Sequence, residues 1–210
     1  HSWSDGLAMR VVPFGIAFTG NPELAAQYAE IDGAVSHSGE GIYSGQAIAA
    51  AISVAMSGAS LEVIIQAALD AVPKDSWTFN TISQGVKIGR NSNDVWNSIK
   101  PLHKAIACAY YYWTDVAPEA VGLAFGIITA AKLNFEDAVL GAVNIGRDTD
   151  TIAAIAGAIC GAHNGIQFVP ERWTKRILVS RGICISTVKN MNILNVADEL
   201  ALLAESWSKQ

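Results

Sequence analysis

The sequence predicts an all-α fold, a compact orthogonal multi-helix domain built around a buried helix of small residues. Of its 210 residues, 51% are hydrophobic and 33 are alanine, a composition that favours closely packed helices over a sheet. No sustained polar/apolar alternation lies between hairpin turns, and the β-branched residues fall within helical patterns. Between Ile152 and Ala162 the only side chains larger than alanine are Ile152, Ile155, Ile159 and Cys160, with Gly157 and Gly161 four apart. A helix lacking polar residues on every face is buried on every face, and its small residues admit close neighbours. The length suits one domain over residues 1–210.

The elements follow from caps and breakers. Asn21-Pro22 opens a helix to about residue 32. A glycine-bounded loop with His37 and Glu40 comes next, then helices near 43–56 and 60–72, the second ended by Pro73. Segments near 79–88 and 94–111 read as helical, the latter kinked at Pro101. Pro118 starts a helix to about residue 132; Asn134 caps the next, with Asp137 in the capping-box position. Residues 151–163 form the small-residue helix, and 195–207 a terminal amphipathic one. The segment 176–192 has the weakest pattern.

Composition also excludes function classes. A net charge of −5 with no Lys/Arg-rich run argues against nucleic-acid backbone binding. The uncharged stretch 41–61 is long enough for a membrane span but is diluted by Ser44, Gln46, Ser53, Ser57 and Ser60, so it reads as a buried soluble helix. Cys108, Cys160 and Cys184 lack Cys-x-x-Cys spacing and read as structural thiols of a cytoplasmic protein. His103 and His163 lack metal-ligand spacing.

Chemistry concentrates in Asn144-Ile145-Gly146-Arg147-Asp148-Thr149-Asp150-Thr151. Asp148, Asp150 and Thr151 offer three oxygen donors at a helix start, the donor type that magnesium or manganese prefers. Helix capping is the competing reading, since aspartate and threonine cap helices and a carboxylate there is favoured by the macrodipole. Burial of the helix favours the metal, because two buried carboxylates need a compensating partner.

These residues resemble the C-terminal signature of the ADP-ribosylglycohydrolases, the group containing dinitrogenase-reductase-activating glycohydrolase, the ADP-ribosylhydrolases and jellyfish J1 crystallin: Gly-Gly-Asp-x-Asp-Thr followed by a small-residue helix. Ser2-Trp3-Ser4-Asp5-Gly6-Leu7-Ala8-Met9-Arg10-Val11 is similar to that family's Gly/Ser-rich loop ending in Ala-Met-Arg. Ser36-His37-Ser38-Gly39-Glu40-Gly41 resembles its Thr/Ser-His segment. Order and approximate spacing agree over nearly the whole chain.

The resemblance implies metal-assisted cleavage of an N- or O-glycosidic bond at the ribose of an ADP-ribosylated protein or small ADP-ribosyl compound. Asp148 and Asp150 would be catalytic, and with Thr151 would hold a dinuclear Mg2+ or Mn2+ site. Ser2, Trp3, Ser4, Asp5, Gly6 and His37 would contact substrate: backbone amides on the diphosphate, Trp3 stacked on adenine, His37 on a ribose hydroxyl or phosphate oxygen. The plainer readings are a frayed terminus, a Trp3 filling a core edge and a His37 bonded to backbone; Glu40 reads as a solvated loop residue or a further carboxylate near substrate. Two departures stand out: Arg147 replaces the usual second glycine, and Asp5 replaces a common asparagine. A guanidinium beside a cation cluster repels metal unless it turns toward a phosphate or carboxylate. The family's early Thr-Asp-Asp motif has no counterpart here, so the chain is expected to be a C-terminal portion, inactive without a complementary N-terminal fragment. The alternative is a catalytically silent, crystallin-like structural or ADP-ribose-binding protein.

Overall fold

Helix starts in the computed structural model, which describes residues 2–207, fall where capping chemistry puts them. The short α1 (Gly6–Arg10) and α2 (Val12–Ala17) lead into α3 (Pro22–Gly33), where the Asn21 side chain accepts from the Leu24 amide. Ser60, Ser76, Asp94 and Asn134 cap α5 (Leu61–Asp70), α6 (Trp77–Arg90), α7 (Val95–Ile106) and α9 (Phe135–Asn144) in the same way. Between them run α4 (Glu40–Ala55) and α8 (Ala117–Ala130), and α10 (Thr149–Asn164), α11 (Glu171–Ile177) and α12 (Ile193–Trp207) complete the order. Among the described residues there is no strand, only two isolated antiparallel bridges. Among the described residues no helix is long and apolar enough to cross a membrane.

The helix buried on every face is α8, all of whose residues are buried. The sequence assigns that position to the segment now seen as α10, which buries only one side, through Thr151, Ile152, Ile155, Ala156, Ile159 and Cys160. Periodicity cannot separate the two helices, because alanine and glycine carry no directional signal. Close approach of α6 and α8 rests on glycine. A Cβ on Gly85 would lie 2.2 Å from the Gly122 carbonyl oxygen, and one on Gly89 2.5 Å from that of Gly126. α4 packs against α3, α5, α2 and α1, and α10 against α9, α8 and α4.

Two segments depart from expectation. α7 carries Pro101 within it and stops at Ile106, so residues 107–116 form a loop in which Tyr110 and Tyr112 are almost fully exposed. Residues 176–192, the weakest in pattern, hold the end of α11, a 3-10 turn at Ser186–Val188 and an antiparallel bridge between Val179 and Asn192. The free cysteines differ in setting: Cys160 is buried, Cys108 half-buried and Cys184 exposed.

Candidate functional site

The N-terminal loop is pinned from two sides. Toward α8, Ser4 bridges Val116: the Asp5 amide donates to the Asp115 carbonyl (2.9 Å) and the Ala117 amide to the Trp3 carbonyl (3.0 Å). Toward α4, the Ser38 amide donates to the Ser2 carbonyl at 3.0 Å. The loop lies so close to α4 that a Cβ on Gly41 would sit 2.4 Å from the Ser2 oxygen. These hydrogen bonds engage the Asp5 amide, so it is not among the amides that could meet a diphosphate.

The pinning carries Asp5 to the start of α10. Asp5 is 3% exposed, and no hydrogen-bond donor reaches its buried Oδ2. Burial pushes its carboxyl up to about 8, helped by the charge of Asp148, a hydrogen bond to that carboxylate and the charge of Asp115. Asp5 therefore keeps its proton at neutral pH. The Asp148 carboxyl is also raised, first by burial and then by its hydrogen bond with Asp150, while Asp5 and the Thr151 amide partly offset this. Asp148 occupies the N-cap position of α10 without a side-chain capping hydrogen bond. The Thr151 amide, at the N3 position, nonetheless lowers the Asp148 carboxyl as it would in a capped helix.

Thr151 is 2% exposed, and its hydroxyl donates to the Met9 sulfur at 3.7 Å. An O–H spent on sulfur leaves the oxygen lone pairs for another partner. Asp150 is exposed and interacts with Asp148 in the same turn. In donor chemistry, Asp5, Asp148, Asp150 and Thr151 offer the oxygen atoms that a hard divalent cation prefers. In number they fall short: among the described residues no three His, Cys, Asp or Glu side chains form a group able to hold a metal ion.

Arg147 turns away from these carboxylates. Gly146 and Arg147 both adopt left-handed backbone, with φ of 85° and 65°. The second of these costs a non-glycine residue about 1–2 kcal/mol. From there the guanidinium Nε donates to Glu119 Oε1 at 2.6 Å, and Nη2 reaches the carbonyls of Trp113 (3.1 Å) and Tyr111 (3.4 Å). Glu119 lies at the fully buried start of α8, and its other oxygen accepts from the Cys108 amide at 2.5 Å. The expected conflict between arginine and a cation is resolved by this carboxylate, a residue the sequence reading did not single out.

His37 lies between two serines, with Nε2 3.2 Å from Ser4 Oγ and Nδ1 2.8 Å from Ser36 Oγ. Its pKa is lowered, mainly by burial and then by the Arg10 charge, so the ring is neutral at pH 7. Arg10 itself pairs with Asp32 at 2.8 Å and donates to Ser36. Glu40 is neither solvated nor aimed at a ligand: it is buried and accepts from the amides of Trp77 (2.8 Å) and Thr78 (2.9 Å) and from the Thr78 hydroxyl (2.7 Å). It holds the α6 N-terminus. Only its contacts with Trp77 and Thr78 across the fold reveal this, which no spacing in the sequence records.

Beside the N-terminal loop a cavity of about 410 Å3 is lined by Ser2, Trp3, Trp77, Cys108, Tyr111 and Asp115, with Val116. Its aromatic walls and single carboxylate suit a planar, polar-edged ring. The Cys108 thiol in its lining is pushed up to about 11 by burial and Glu119, so it stays protonated at neutral pH. Tyr111 comes from the aromatic run 110–113, all of whose members are exposed. Residues Ser2 to Gly6, His37, Asp148 and Thr151 thus share one end of the helical array, and His1 lies outside the described residues.

The all-helical domain thus sets a pinned glycine- and serine-containing loop beside the carboxylate-bearing start of α10. The chain belongs to the ADP-ribosylglycohydrolase family, whose model matches residues 1–210. It is 33% identical over 171 residues to an uncharacterized protein of Archaeoglobus fulgidus, covering 80% of this chain and 51% of that protein. ADP-ribosylhydrolase ARH3 of Danio rerio is 29% identical over 205 residues, covering 82% and 52%. ADP-ribosylarginine hydrolase Tri1 of Serratia proteamaculans is 35% identical over 71 residues, 34% of this chain and 17% of Tri1. The chain spans about half the length of the first two relatives.

Proposed function

We propose that this chain forms the ADP-ribose-holding part of a metal-dependent ADP-ribosylhydrolase that cleaves an N- or O-glycosidic bond to ribose. The observation that carries the reading is the meeting of buried Asp5 with Asp148 at the α10 start, beside the aromatic cavity. Asp148, Asp150 and Thr151 would hold Mg2+ or Mn2+, which when bound supplies Lewis-acid polarisation of a hydroxyl or water. Trp3, Tyr111 and Trp77 stack on the adenine ring, fixing the far end of the substrate so that its ribose lies at the carboxylates. Ser2, Ser4 and Gly6 line the path of the diphosphate, and neutral His37 donates or accepts at a ribose hydroxyl. The negative charge of Asp148 and Asp150 offsets the oxocarbenium-like centre as the bond to the acceptor nitrogen or oxygen breaks and water adds. Further oxygen ligands come from a complementary acidic segment outside these residues. The ADP-ribosyl donor is a modified protein or a small ADP-ribosyl compound, and the three free thiols suit a cytoplasmic setting.

Calorimetry with magnesium, manganese and ADP-ribose tests this reading. Wild-type protein should bind metal and ADP-ribose, and Asp148→Ala and Asp150→Ala should lose the metal. Absence of both wild-type binding events rejects the proposal. The small number of converging carboxylates favours a second reading, a catalytically silent ADP-ribose-binding protein. That reading predicts ADP-ribose binding unaffected by either metal, and no hydrolysis after the acidic segment is supplied.

A further inference from the structure

We infer that Arg147 is a positioning residue for the ligand cavity: through buried Glu119 it fixes the 108–116 loop, and with it Tyr111 and Asp115, against the N-terminal loop. The ligand part of this inference rests on the reading that the cavity takes the ring of ADP-ribose. The Ser4–Val116 bridge ties down the end of the loop at Asp115, and the stretch before it is held by polar contacts more than by packing. The loop lies between α7 and α8, and Tyr110, Tyr112 and Trp113 are 105%, 87% and 54% exposed, so core packing does not define its path. One ion pair grips it at three backbone points: the Cys108 amide on Glu119, and the Tyr111 and Trp113 carbonyls on Arg147.

Geometry gives the pair its reach. Glu119 is 0% exposed and belongs to the most buried helix, so it is a fixed anchor, and the Arg147 side chain is 13% exposed. Arg147 also precedes Asp148 in sequence, so the same residue ties the aromatic loop to the carboxylate turn. Two residues beyond Trp113, the Asp115 carbonyl accepts from the Asp5 amide, which continues the connection into the loop bearing Trp3. A planar guanidinium can serve one carboxylate and two carbonyls together, whereas an ammonium presents a point charge. The residue therefore occupies a backbone conformation that favours glycine because its side chain spans two loops that glycine could not join.

The test compares the 210-residue wild type with Arg147→Gly, Arg147→Lys and the double variant Arg147→Gly/Glu119→Gln, which leaves no lone buried charge should the single glycine variant fail to fold. Amide hydrogen exchange over residues 108–116 and calorimetric titration with ADP-ribose are read together. Glycine and lysine variants should both exchange at least ten-fold faster at Cys108 and its loop, with α4 and α8 unchanged, and should bind ADP-ribose about ten-fold more weakly. The double variant should match the glycine variant. Full rescue by lysine overturns the inference, because charge alone would then suffice. Unchanged exchange in the loop overturns it, as does faster exchange spread evenly over α4 and α8. If wild-type protein binds neither metal nor ADP-ribose, the proposed function fails by itself, and loop-confined exchange still supports the positioning role.

Discussion

Arg147 Nε lies 2.6 Å from Glu119 Oε1, and this contact joins the carboxylate turn before α10 to the start of the most buried helix. Removing one partner of a buried pair strands the other in a poorly solvated site. Glu119→Ala should lower unfolding stability by about 3–5 kcal/mol, measured by urea denaturation. A loss below about 1 kcal/mol would place the pair with solvated surface bridges.

Asp5 should make the metal-free protein less stable as pH rises. Its folded-state carboxyl titrates near 8 against an ordinary 3.8, so between those values the folded state binds the extra proton. Its contribution is fully present below pH 3.8 and is lost as pH rises through about 8. Denaturation midpoints in EDTA at pH 5 and pH 8 should fall more for wild type than for Asp5→Asn. Parallel pH profiles would remove Asp5 as the cause.

A divalent cation at the same carboxylates would favour their ionised forms. Manganese or magnesium should therefore raise the melting temperature more at pH 8 than at pH 6, with Asp148→Ala abolishing the difference. Equal stabilisation of the variant would place the ion elsewhere.

Glu40 should matter first to folding, because it holds the start of the helix that carries Trp77. Glu40→Ala removes an acceptor from two amides and a hydroxyl at the α6 start, at a cost of about 2 kcal/mol or more. Urea denaturation should show that loss.

Glycines at the tight α6–α8 crossing should differ sharply from the roomier Gly157 of α10. Gly85→Ala drives a methyl into the Gly122 carbonyl and should cost about 1–3 kcal/mol. Gly157→Ala meets only ordinary contact at 3.4 Å and gains helix propensity. Thermal unfolding should show the first variant destabilised and the second equal to or above wild type.

By itself the sequence determined the helical class, because alanine-rich apolar segments bounded by Asn, Ser, Asp and Pro leave the backbone few other options. Asn21, Asn134 and the Asp-x-Asp-Thr turn were legible because caps and oxygen donors act over a few residues. Tertiary structure decided which helix is central, since alanine and glycine in α8 and α10 signal small size but no facing direction. It also decided that Glu40 caps a helix 37 residues away, that Arg147 turns to Glu119, and that Asp5 joins Asp148. Those partners are separated by long stretches of chain, and their electrostatics depend on burial and distance, quantities that exist only once the helices have packed.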